Sequence, residues 1–132
     1  MNDILTSYQK ELNEQLVIDE FTLKDVQLQL PGRRHLWVGR LMRHKHELNQ
    51  LKKEKTEKLI ELTKAIQEQS NVRLSTPAAE KVAANTSNIK ELNNKIQEQY
   101  VLIEYLEKVE KIMSSIGFDV RNIIEIQKLE TQ

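Results

Sequence analysis

Thirteen side chains that carry or can take up positive charge crowd the stretch 31–66: ten Lys/Arg and all three histidines, His35, His44 and His46. Metal binding is the first chemistry to weigh. His44 and His46 are two residues apart, so on a helix they point about 200° away from each other and cannot share one ion. No carboxylate pair at helical spacing completes a site. With no Cys in the chain there is no thiolate ligand, disulfide or cysteine nucleophile. The glycines, Gly32, Gly39 and Gly117, stand alone, so there is no phosphate-binding loop, no nucleophile elbow and no dinucleotide fingerprint. Neither a catalytic residue nor a metal nor a cofactor is expected, and the many Glu residues read as a solvated helix face.

The basic run is what remains: Arg33, Arg34, Arg40, Arg43, Lys45, Lys52, Lys53, Lys55 and Lys58, with Lys64 further on. Residues 33–58 hold nine basic side chains against three acidic ones, whereas an ordinary solvated helix carries the two signs near balance. The planar guanidinium of the leading arginines suits phosphates bidentately and stacks on bases. A polyanion partner is therefore expected, be it DNA, RNA or an acidic protein tail. Trp37 interleaves with the arginines; its spacing favours packing, and stacking on a base is the alternative.

The net charge of zero is a sum of opposed blocks. Residues 1–30 carry −4, residues 31–66 carry +6 and residues 67–132 carry −2. A neutral total discourages indiscriminate binding, while the middle block can still hold a polyanion on one face.

The elements that must position these charges are helical. The chain is 132 residues long, with 30% charged and 39% hydrophobic residues but only two Pro and three Gly, a composition that disfavours a turn-rich β fold. Leu5, Tyr8 and Leu12 predict a short amphipathic helix from Ile4 to about Gln15. Thr22 can cap a second short helix, Leu23 to Leu30, ended by Pro31-Gly32, because a residue before proline avoids the α region. The range 1–30 thus reads as an acidic N-terminal region. Trp37, Leu41, His44, Leu48, Leu51, Lys55, Leu59, Leu62 and Ile66 then recur in threes and fours, one narrow stripe on a long basic helix over 33–69. His44 and Lys55 are polar members, of the kind that fixes register.

Residues 70–77 read as a loop, with Thr76 capping a small helix, Ala78 to Ala84, that has Pro77 in its first turn. A second long helix over about 86–116 carries Ile89, Leu92, Ile96, Gln99, Ile103, Leu106, Val109 or Glu110, Met113 and Ile116, and Gly117 fits its C-cap. A last amphipathic helix over 118–131 presents Val120, Ile123 and Ile124, with Ile126 and Leu129 as further apolar positions. The fold expected is all-α: two long helices in an antiparallel coiled-coil-like hairpin with short flanking helices. The stripes and the final face exceed what one hairpin can hide, so a homo-oligomer is expected, with Val120, Ile123 and Ile124 in its interface. No run of about 18 apolar residues predicts a membrane span, and Met1-Asn2-Asp3-Ile4 lacks the order of a signal peptide, so an intracellular chain is expected.

Two strings carry a resemblance. Asp19 and Leu23 followed by Leu30-Pro31-Gly32-Arg33-Arg34-His35-Leu36-Trp37-Val38-Gly39-Arg40-Leu41 resembles the approach to the first long helix in UvsY-type recombination mediators of T-even-like phages. Ile103-Glu104-Tyr105-Leu106-Glu107-Lys108-Val109, then Ile116-Gly117-Phe118-Asp119-Val120-Arg121-Asn122-Ile123-Ile124-Glu125-Ile126-Gln127-Lys128, resembles that family's closing segment. The likeness covers most of the chain in order and length. The chain departs from the family at Leu62-Thr63-Lys64-Ala65-Ile66-Gln67-Glu68-Gln69, where Lys64 is the one basic counterpart and no aromatic follows. The resemblance implies a ring-like, non-enzymatic homo-oligomer, on the order of six or seven protomers, acting in the cytoplasm of an infected bacterial host. It would bind single-stranded DNA, help displace the single-stranded-DNA-binding protein and load a RecA-like recombinase in homologous recombination and repair. The rival reading is a structural or adaptor coiled coil whose basic helix meets an acidic protein.

Overall fold

The computed structural model describes residues 2–131, and within them every regular element is an α-helix: α1 (Asn2–Gln15), α2 (Leu23–Gln69), α3 (Thr76–Ala84) and α4 (Ser87–Glu130). None of these helices is long and apolar enough to cross a membrane. The two long helices pack against each other antiparallel. Leu30 lies by Gly117 and Arg34 meets Ser114; separately, His44 faces Gln99 and Leu51 packs with Ile89 and Leu92, so within each of these stretches positions rise on one helix as they fall on the other.

Two expected breaks are absent. Pro31 lies inside α2, which runs unbroken from Leu23, so the separate helix 23–30 does not exist. Packing overrides the local penalty: Leu23 and Val26 before the proline are buried, and so are Trp37 and Leu41 after it. The start of α2 is held by Asp19, whose carboxylate accepts from the Phe21 and Thr22 N–H groups, while the Thr22 hydroxyl accepts from the Asp19 N–H. The Thr22 carbonyl then takes the first helical bond, from Val26.

Gly117 is likewise no C-cap. It has no positive φ and sits within α4, which continues to Glu130, so the helices expected over 86–116 and 118–131 are one. A Cβ at this position would meet Leu30 Cδ2 at 3.4 Å, an ordinary contact. The small helix α3 starts two residues before the expected Ala78, with Ser75 rather than Thr76 as cap; the Ser75 hydroxyl accepts from the Ala78 N–H.

The chain divides into two compact units, and the division falls at neither Pro31 nor Gly117: one unit comprises Met1–Arg43 with Leu102–Gln132, the other His44–Val101. The first is built on α1, the N-terminal part of α2 and the C-terminal part of α4. Its core holds Leu12, Val26, Trp37, Leu41, Leu102, Leu106, Val109, Met113 and Val120. Burial raises the Tyr105 phenol above its ordinary value.

The second unit joins the remainder of both long helices through α3. Leu51, Ile89 and Leu92 form its core, backed by Leu59, Leu62 and Ile96. Ala79 and Ala83 are fully buried on α3. His44 Nδ1 lies 2.8 Å from Gln99 Oε1. Two polar members of the predicted stripes thus face each other, which fixes the register as expected of polar seam positions.

Candidate nucleic-acid interface

The ten basic side chains singled out by the sequence lie on one helix but in different settings. Four belong to the first unit. Arg33 donates to Gln29 Oε1 at 2.6 Å and to the Gln15 carbonyl at 3.5 Å. Arg34 donates to Ser114 Oγ at 3.1 Å. Arg43 is exposed.

Arg40 is committed to packing. Its Nη1 and Nη2 donate to the two Glu11 carboxylate oxygens at 2.7 and 3.2 Å, a bidentate pair in which the side chains are only 16% and 34% exposed. Its guanidinium carbon also lies 5.0 Å from the Tyr8 ring centroid and 4.6 Å from that of Trp37. The acidic helix α1 thereby docks on α2 through the very arginine that the composition offers to phosphates.

Trp37 is settled by the same cluster. It is 2% exposed, meets Tyr8 edge-on at 5.7 Å, and donates its indole N–H to Gln15 Oε1 at 2.9 Å. Packing, not base stacking, is its role.

The other six cations belong to the second unit. Lys45, Lys52, Lys53 and Lys64 are exposed, while Lys55 and Lys58 are half-buried along their stems. Lys58 pairs with Glu61 at 3.4 Å, an i,i+3 contact on the surface. Lys52 Nζ lies 5.0 Å from the centroid of the Tyr100 ring on α4. Lys64 borders an open cleft of about 560 Å³ between α2 and α3, whose apolar wall includes Leu59 and Ile60. Tyr100 is not among the site residues expected from the sequence. Its signal, an aromatic just off the stripe, gains meaning only once the antiparallel register places it by Lys52.

The expected interface residues also separate. Val120 is 2% exposed and belongs to the protomer's own core, so it is unavailable to a neighbouring copy. Ile124 is half-buried, and Ile123 is 40% exposed. The apolar surface that α4 leaves open is Ile123, Ile126 and Leu129, with Phe118 before them. Among the described residues, no three His, Asp or Glu side chains gather as metal ligands.

No protein-family model and no curated protein sequence matches the chain. Solved structures do, among them three crystal structures of the bacteriophage T4 recombination mediator protein UvsY. In lattice type II the TM-score is 0.78 at 16% identity, covering 97% of this chain and 98% of that one. Lattice type IV gives 0.77 at 17% identity, with 96% and 98% covered, and lattice type I gives 0.75 at 16%, with 92% and 97% covered. At such identities the likeness is one of backbone, and it extends through α1, both long helices and the helix between them. The chain has the UvsY-type fold over nearly its whole length.

Proposed function

We propose that this chain is a recombination mediator: a homo-oligomer of about six or seven protomers that binds single-stranded DNA, helps displace the single-stranded-DNA-binding protein and loads a RecA-like recombinase. The observation that carries the reading is the near end-to-end likeness in fold to the T4 recombination mediator. The exposed cations of α2 support it. Arg43, Lys52, Lys53 and Lys64 face solvent, so their charges are open to phosphates.

Each protomer brings only a modest positive segment. Repeating it around a closed assembly turns weak contacts into a multivalent track, because every contact after the first is intramolecular. The acidic α1 and the overall neutrality oppose indiscriminate binding to duplex. Work on the strand comes from binding energy: a strand curved along the track suits a competing binder less, which favours exchange for the recombinase.

Titration of a labelled oligothymidine at physiological salt tests the reading. Arg43→Gln with Lys53→Gln should weaken binding to all sequences alike and flatten the salt dependence, by about 0.7 in log–log slope for each phosphate no longer neutralised. A chain that ignores the oligonucleotide but binds a poly-glutamate peptide would be an adaptor for an acidic protein instead.

A further inference from the structure

With Trp37 buried, a platform for bases beside the cationic segment must come from elsewhere. Tyr100 is 43% exposed, more than a side chain sealed into the seam, and it sits one residue beyond the seam member Gln99. The antiparallel register sets its ring 5.0 Å from the ammonium of Lys52, on the helix that carries the +6 block. An exposed ring with a mobile cation at its face fits a polymer that alternates flat bases with phosphates. A duplex hides its base faces, so the fitting form is a single strand.

Resting on the single-strand binding proposed above, we infer that Tyr100 and Lys52 form a nucleobase-stacking subsite: the ring takes the face of one unpaired base while the Lys52 ammonium moves to an adjoining phosphate. The exchange is favourable in size. A cation over an exposed ring contributes about 2- to 5-fold in affinity. A base stacked on an aromatic side chain contributes about 5- to 150-fold. The displaced ammonium also gains a phosphate in place of a ring. Phe118 is an internal contrast: it too is exposed, with the Arg121 guanidinium 5.9 Å from its centroid, but that pair is an i,i+3 contact within α4 beside Asp119, so its cation does not come from the basic helix.

The test compares oligothymidine with a strand of equal length and charge lacking its bases, each titrated into the intact protein. Tyr100→Leu should lower affinity for oligothymidine at least about 5-fold and leave the abasic strand unaffected. Tyr100→Phe should bind as the parent, and so should Phe118→Leu. Lys52→Gln should weaken both strands and flatten the salt slope. An equal loss on both strands with Tyr100→Leu, or no loss in a variant of unchanged helicity and mass, would overturn the stacking subsite while leaving single-strand binding in place. A parent protein that binds neither strand would overturn both.

Discussion

Replacing Pro31 with alanine should stabilise the protein. Pro31 is the ninth residue of α2, beyond the first turn in which a missing N–H costs nothing. It cannot donate to the Gln27 carbonyl, and its ring crowds that group. In a helix interior the difference from alanine is about 3 kcal/mol. Two effects reduce it here. Pro31 is exposed, so water can satisfy the Gln27 carbonyl, and the regained hydrogen bond contributes only about 1 kcal/mol net. Alanine also frees the unfolded chain, returning about 0.4–1 kcal/mol. The expected gain is about 1–2 kcal/mol, or roughly 4–7 °C in Tm for a chain of this length. Thermal unfolding followed by circular dichroism reads it, at one fixed protein concentration because self-association would link Tm to mass action. Gly32→Ala should add about 0.5–1 kcal/mol, since nothing lies within 4 Å of the new methyl group. An unchanged or lowered Tm for Pro31→Ala would refute the reasoning and show that packing on both sides of the proline depends on it.

Arg40→Gln should read mainly in stability, losing about 1–3 kcal/mol in urea titrations, because it removes a bidentate pair and the stacking on two rings; a full-strength urea midpoint would show that α1 docks without it. Glu11→Gln added to Arg40→Gln should cost little more than Arg40→Gln alone, as neighbours sharing one interaction are non-additive. Leu102→Ala should lose about 2–5 kcal/mol by opening a cavity in the core of the first unit. Ile123→Asp with Ile126→Asp should keep its helicity yet drop in mass toward 15.5 kDa by light scattering, whereas Val120→Asp should unfold the protomer itself. Retention of the parent's mass in the double variant would place the contact between copies elsewhere.

The helical stripes were legible because they are periodic: Trp37, Leu41, Leu48 and Leu51 on one helix, and Ile89, Leu92, Leu106 and Met113 on the other, all buried as their spacing predicts. The breaks were misread because Pro31 and Gly117 speak only for their immediate neighbours, and the packing of Val26, Trp37, Ile116 and Val120 outweighs them. Composition marked Arg40 as a phosphate contact, since nothing in a linear reading shows that Glu11, 29 residues earlier, will meet it. Val120 looked like interface for a related reason: an apolar stripe has one appearance whether its cover is the same chain or another. Tyr100 stands out in the sequence only as an aromatic off the stripe, because its meaning depends on a register fixed by His44 and Gln99.

The two units also differ in how they must form. His44–Val101 is one continuous piece of chain, whereas the first unit joins two segments separated by all of it. Bringing those segments together across roughly 60 disordered residues costs about 3–4 kcal/mol in closure entropy. Once Leu51 has packed on Ile89 and Leu92 that separation collapses, and Trp37 and Leu106 can be brought into one core almost without further cost. Folding should therefore begin at the α3 end and close toward the termini, so that pulse-labelled amides of residues 48–66 and 89–101 gain protection before those around Trp37. On the ribosome α1 can already meet the start of α2, through Glu11 and Arg40, whereas the core around Trp37 must wait for Leu102–Gln132, the last part of the chain to emerge.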